Sequence, residues 1–143
     1  MKYSLSNTIN SSLHKVADKI SVSEGTKQWT EGLQSIEQIT GDYCDVGSIR
    51  KLHYIFNKKD LIITETIVEQ NLPGQIKFKY ESKMGSNIVE LIFEEMSDNE
   101  VKQTSNTTME LKGVMRLFGG LMKGMFKKQS KKYMTAFKKY AEE

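Results

Sequence analysis

The feature that most narrows what this chain can fold into is the order of its hydrophobic patterns. A short strand-like run comes first, followed by a helical stretch ending in the lone tryptophan, Trp29. Strand-like runs then continue to about residue 111, and a single helical pattern runs from Gly113 to Glu143. That last segment carries a stripe at Met115, Phe118, Met122, Phe126, Gln129, Tyr133, Phe137 and Tyr140, recurring every third or fourth residue, the period of one helix face. A flanking row, Val114, Leu117, Leu121 and Met125, widens the apolar face in its first half only. Gly119, Gly120 and Gly124 each cost roughly 1 kcal/mol relative to alanine in a helix. They point to close backbone approach, a bend, or room left for a ligand. Several strands with one long amphipathic helix are expected to form an α+β fold in which a curved sheet closes around the helix and leaves a pocket between them.

The strands are legible one by one. Lys2 to Ile9 alternates at Tyr3, Leu5 and Ile9, and Asn10-Ser11-Ser12 offers N-caps for a helix from Leu13 to Ile20 with Leu13, Val16, Ala17 and Ile20 on one face. Ser23-Glu24 opens a second short helix that reaches Trp29 and stops at Gly32. Leu33, Ile36 and Ile39 mark a strand ended by Thr40-Gly41-Asp42, and Ser48 to Phe56 is the next, with Leu52, Tyr54 and Phe56 on one face. A hairpin turn is expected at Asn57-Lys58-Lys59-Asp60. Leu61 to Gln70 follows, with Leu61, Ile63, Glu65 and Ile67 on one side. The one proline, Pro73, lies in a turn signal. Ile76, Phe78 and Tyr80 alternate with charged residues. Asn87 to Glu95 has large apolar residues on both faces, and Val101 to Leu111 is a polar last strand. If Val89, Leu91 and Phe93 were exposed together, a homodimer would be the expected reason.

With 143 residues the chain reads as one domain that needs no disulfide or metal staple, and the single cysteine, Cys44, reads as a buried, inert thiol in a reducing compartment. No apolar run approaches the ~20 residues of a bilayer span, and no signal peptide is visible, so a cytoplasmic protein with no stable membrane insertion is expected. The net charge of +3 is uneven. Residues 1–111 carry 12 basic and 16 acidic side chains, whereas residues 112–143 carry 9 basic and 2 acidic. The positive charge thus sits on the last helix, either as a solvated lysine face or as a surface for an acidic protein or an anionic membrane.

No hydrolase elbow, zinc-type Cys/His spacing or dinucleotide fingerprint is present, so no catalytic residue, metal or cofactor is assigned. His14 and His53 lie far apart in sequence. Phe78-Lys79-Tyr80 is explained by sheet alternation rather than by single-stranded nucleic-acid binding, and no nucleic-acid partner is expected. Glu65 stands out because it interrupts an otherwise apolar face; facing inward, it needs a partner or a polar ligand group. Met115, Met122 and Met125 form a soft lining suited to irregular apolar shapes.

Several segments together resemble a known group. Ile9-Asn10-Ser11-Ser12 with Val16, Trp29 with Gly32-Leu33, Val46-Gly47-Ser48-Ile49-Arg50, Thr64-Glu65 followed by Asn71-Leu72-Pro73, Lys102-Gln103-Thr104, and Phe137-Lys138-Lys139-Tyr140-Ala141-Glu142 follow one another as in the START-like superfamily of helix-grip proteins. This is also called the Bet v 1-like or SRPBCC group, with polyketide cyclase/dehydrase-like and lipid-transport members. Each motif is short, and the resemblance rests on their order. Serines replace the usual small-residue–proline pair after the first strand. The resemblance implies a seven-stranded antiparallel sheet gripping the C-terminal helix, two short helices after strand 1, and a pocket for a hydrophobic ligand that the position of Glu65 faces.

The expected pocket is lined by Tyr54, Ile63, Glu65, Phe78, Tyr80, Met115, Phe118, Met122 and Phe126, and its occupant is an apolar small molecule or lipid. Two other readings stay open: a cyclase/dehydratase-like enzyme with Glu65 and Tyr54 or Tyr80 as proton handlers, and an interaction module using the basic C-terminal helix.

Overall fold

A computed structural model describes residues 1–143. In chain order the elements are β1 (Lys2–Ile9), α1 (Leu13–Ile20), α2 (Thr26–Trp29), β2 (Leu33–Thr40), β3 (Ile49–Phe56), β4 (Lys59–Asn71), β5 (Gln75–Ser82), β6 (Gly85–Ser97), β7 (Glu100–Leu111), a 3₁₀ segment (Gly113–Phe118) and α3 (Gly119–Glu142). The seven strands form one antiparallel sheet in the order β1-β7-β6-β5-β4-β3-β2. This is the expected helix-grip arrangement: consecutive hairpins build the sheet from β2 to β7, and β1 returns to pair with β7.

Local chemistry sets these elements. Ser12 caps α1, its Oγ accepting from the Lys15 N–H at 3.2 Å, and the i, i+3, i+4, i+7 spacing of Leu13, Val16, Ala17 and Ile20 turns one face inward. The β3–β4 hairpin is tighter than the four-residue turn expected. Only Asn57 and Lys58 form the turn, with φ of 50° and 65°, while Lys59 and Asp60 already belong to β4. Positive φ at both turn positions matches the right-handed twist of the flanking strands. Gly85 opens β6 with φ of +146°, and a Cβ there would sit 2.1 Å from the Glu110 carbonyl oxygen. Only glycine fits between β5 and β7 at that point. In β2 a bulge between Leu33 and Ser35 lets Leu33 and Ile36 face the same side although two residues lie between them; Ile39 is exposed.

The main core gathers Ile9 of β1, Val16 and Ile20 of α1, Ile67, Ile76, Phe78, Leu91, Phe93 and Val101 of the sheet, and Phe137 and Ala141 of α3. Trp29 packs edge-on to Phe137 at 5.4 Å and to Tyr133 at 6.4 Å, so the lone tryptophan fixes α2 against α3. α3 also covers the β1 edge. The Tyr3 hydroxyl donates to the Phe126 carbonyl at 3.3 Å and lies 2.8 Å from Ser130 Oγ, and Asn7 Nδ2 donates to the Met134 carbonyl. On β6, Leu91 and Phe93 are buried and Val89 is partly buried and packed against the core, so this face lies inside and offers no dimer surface. Phe137→Ala is expected to cost about 3–5 kcal/mol in denaturant unfolding, because it removes the ring against which Trp29, Phe93 and Tyr140 pack. A cost below about 1 kcal/mol would place the core elsewhere.

Candidate functional site

The β3–β4 hairpin sets the site. Its two-residue turn places Arg50 directly opposite Glu65, and the β4–β5 register places Glu65 opposite Tyr80. All three point to the inner face of the sheet, where Arg50 and Glu65 are each 1% exposed. The ion pair is bidentate: Arg50 Nε donates to Glu65 Oε1 at 2.8 Å and Arg50 Nη2 to Oε2 at 3.0 Å. The remaining guanidinium nitrogen, Nη1, donates to the Ser23 carbonyl at 3.1 Å, to Ser23 Oγ at 2.9 Å and to Thr26 Oγ1 at 3.2 Å. Arg50 Cζ lies over the Tyr43 ring, 3.9 Å from its centroid. Arg50 therefore ties the α1–α2 connection to two strands of the sheet, and each of its three guanidinium nitrogens donates within the protein.

Glu65 thus faces inward, as half of an ion pair rather than as a lone carboxylate. Both of its oxygens already accept from a guanidinium, which suits holding a structure or orienting a polar group better than accepting a proton. The surrounding phenols stay neutral. Burial, with the Glu65 charge next, pushes Tyr43 and Tyr80 well above the ordinary phenol range. Burial first and Tyr133 second do the same for Tyr54, and burial raises Tyr133 itself. Burial also raises the Cys44 thiol, so it stays protonated and unreactive.

The nine residues expected to line a pocket fall into three groups. Tyr54 is buried with Leu33 and Leu52 in a small second core, and Ile63, Tyr80, Ile36, Phe56 and Leu61 pack against it while remaining partly exposed. Glu65 lies between this cluster and the main core. Phe78 belongs to the main core and stacks on Tyr80 at 5.8 Å. Met115, Met122 and Phe126 are partly buried on the helix and join neither core. Phe118 is 51% exposed, and Met125 of the expected methionine lining is exposed as well. The physical reason is the change of helix type. The 3₁₀ segment turns with about 3.0 residues per turn instead of about 3.6, so the stripe slips in phase before Met122. The change falls at Gly119, while Gly120 and Gly124 look into open space, so no close backbone approach explains them.

Two clefts lie away from this site. One of about 670 Å³ opens between the ends of β1 and β7 and the start of α3, lined by Met1, Met109, Leu111, Arg116, Gly119 and Lys123 among others. The other, about 370 Å³, lies on the outer face beside Lys51, His53 and Ile62; His53 Nε2 is 2.6 Å from Asp60 Oδ1 there. On β5 the aromatics and the lysines occupy opposite faces, Phe78 inside and Lys77 and Lys79 paired with glutamates, as sheet alternation requires. Arg50 is the residue that sequence reasoning missed as part of the site. It has the inward parity of Leu52 and Tyr54, and a two-residue turn would have placed it opposite Glu65.

Removing one partner of the pair leaves a buried, unpaired charge. Glu65→Ala should cost about 3–5 kcal/mol in chemical unfolding, and Arg50→Met combined with Glu65→Leu should recover most of that loss. A loss below about 1 kcal/mol in Glu65→Ala would mean that the pair is not isolated from water. A second prediction concerns alkali. A phenol whose folded pKa is raised stabilises the fold below its unfolded value of about 10, and that contribution is lost as pH rises beyond it. Tyr43, Tyr54 and Tyr80 are the phenols that burial raises most. Their phenolate absorbance should appear together with loss of near-ultraviolet circular dichroism; phenolate formed gradually in an intact fold would contradict their burial.

No protein-family model matches this chain, and no curated protein matches its sequence. Solved structures do. A conserved protein from Geobacillus kaustophilus superposes with a TM-score of 0.82 at 15% identity over 99% of this chain and 95% of its own. Ara h 8.0201 gives 0.78 at 16% over 99% and 97%, and the Zhui aromatase/cyclase from Streptomyces sp. R1128 gives 0.76 at 12% over 99% and 93%. At these identities the likeness is one of architecture. The chain has the Bet v 1-like helix-grip fold of the START-like group that its sequence resembles.

Proposed function

We propose that this protein is a carrier or sensor holding an apolar small molecule or lipid between the inner face of β2–β5 and the first half of α3. One observation supports this most. The second core at Leu33, Leu52 and Tyr54 contains no helix residue, and Met115, Met122 and Phe126 pack into neither core. Two apolar surfaces are therefore left partly exposed, one on the sheet at Phe56, Leu61, Ile63 and Tyr80 and one on the helix. A ligand that removes about 200 Å² of apolar surface from water gains roughly 5 kcal/mol before ordering costs. Polar groups on the inner face of the sheet suit a ligand that carries one hydrogen-bonding group. They are the Tyr80 phenol and, on β7, Thr107 Oγ1, which is buried without a protein partner.

The fold alone does not decide between binding and catalysis, since one solved structure of this architecture is an aromatase/cyclase. The bidentate engagement of Glu65 and the neutral phenols around it favour binding over proton transfer. The protonated, buried Cys44 fits a reducing, cytoplasmic setting.

The test is native mass spectrometry of the protein as purified from cells, with extraction of whatever it carries, on the parent chain and on Ile63→Trp. The parent should carry an apolar molecule near one-to-one. Ile63→Trp should lose it while folding with a stability change below about 1 kcal/mol, because the larger ring fills ligand space. An empty parent, together with a 1–3 kcal/mol loss in Ile63→Trp of the kind overpacking causes, would mean that Ile63 is ordinary core.

A further inference from the structure

The outward face of the C-terminal helix changes character along its length. Val114, Leu117 and Phe118 of the 3₁₀ segment and Leu121 and Met125 of α3 are all more than half exposed, Leu117 at 82% and Leu121 at 86%. Continuing along the same face at helical spacing, Leu121 and Met125 are followed by Lys128 and Lys132, with Lys127 and Lys131 beside them. No acidic residue occurs from Lys112 to Ala141. Lys123, Lys127, Lys128, Lys131 and Lys132 make no ion pair, as is true of most lysines of the chain, but here they are gathered on one helix with no carboxylate near them in sequence. Arg116 and Lys123 line the adjoining cleft.

From this we infer that the first half of the C-terminal helix, with the lysines that follow it, docks the protein on an anionic membrane surface. Aliphatic side chains that stand this far out of the surface do not line a groove, and they fit a deformable apolar phase better than a rigid protein pocket. The unpaired lysines along the same ridge match headgroup phosphates and carboxylates rather than a second copy of the chain, whose helix would bring the same excess of positive charge. An amphipathic helix of this composition lies in the interface. The binding is peripheral: no helix here is long and apolar enough to cross a membrane. The inference stands on the outer face of the helix and does not require a ligand inside.

The test is co-sedimentation of the full chain with phosphatidylcholine vesicles, with and without phosphatidylserine, at low and high salt. The fraction bound should rise about tenfold or more with the anionic lipid and collapse at high salt. The double variant Leu117→Ser, Leu121→Ser alters only exposed side chains. It should keep the circular dichroism spectrum and any ligand that the parent carries in native mass spectrometry, yet lose vesicle binding. The variant Lys128→Glu, Lys132→Glu should lose it too. Absence of binding to phosphatidylserine vesicles overturns the inference. So does binding that Leu117→Ser, Leu121→Ser leaves unchanged, which would be charge adherence alone. A dimer in analytical ultracentrifugation that the same variant abolishes would also overturn it, assigning the face to a second copy.

Discussion

The arrangement depends on a buried ion pair. Arg50 and Glu65 sit opposite each other on β3 and β4 in the interior, and two charges taken out of water there stay only because every available guanidinium nitrogen is engaged. Nη1, on the far side of Arg50, donates to Ser23 and Thr26, which precede and begin α2. Trp29, at the end of α2, in turn packs on Phe137 of α3. A chain of contacts thus runs from β3 and β4 through the short helices to the last turns of the long one. An apolar pair of similar volume could fill the same space, but it would not fix the orientation of α2 through directed hydrogen bonds.

That linkage divides the molecule in two. At the C-terminal end of α3, Phe137 and Ala141 are sealed against α1 and the sheet, and the core is continuous. At the other end the helix begins as a 3₁₀ segment, carries glycines with open space beside them, and leaves its inward residues only partly covered. On the inner face of β2–β4 the small core of Leu33, Leu52 and Tyr54 has partly exposed apolar neighbours and no helix residue packed into it. One end is built for rigidity and the other retains unsatisfied apolar surface, which is the physical basis for reading an internal binding site. Without the Arg50 anchor, α2 would lose its polar attachment to the sheet and the division between the two ends would blur.

Most of the architecture was legible because most strands have an inward face of matching parity and the long helix a stripe of matching period. Ile76, Phe78 and Tyr80 are an example: alternation alone placed them inside. Glu65 was visible as an anomaly on an apolar face, but its partner was not. A turn of four residues at Asn57 to Asp60 would put Arg50 opposite Ile67; the two-residue turn shifts the register and puts it opposite Glu65. The positive φ at Asn57 and Lys58 that makes this turn possible is available to asparagine and uncommon for lysine, so composition did not announce it. The phase slip at Gly119 was hidden for a related reason. Residue spacing reports an apolar stripe but not whether the first turns are 3₁₀ or α, and that choice sends Phe118 to solvent. The two faces of β6 looked alike because both carry large residues, and only their neighbours across β5 and β7 decide between them.

The most direct measurement is methyl nuclear magnetic resonance of the intact protein as a medium-chain fatty acid is titrated in as a model apolar ligand. An internal site between helix and sheet predicts saturable shifts at the methyls of Leu61, Ile63, Met115 and Met122, with those of Ile55, Ile62 and Ile88 on the outer face unmoved. Shifts confined to the outer-face methyls, or none at any of these positions, would contradict a binding site between the sheet and the C-terminal helix.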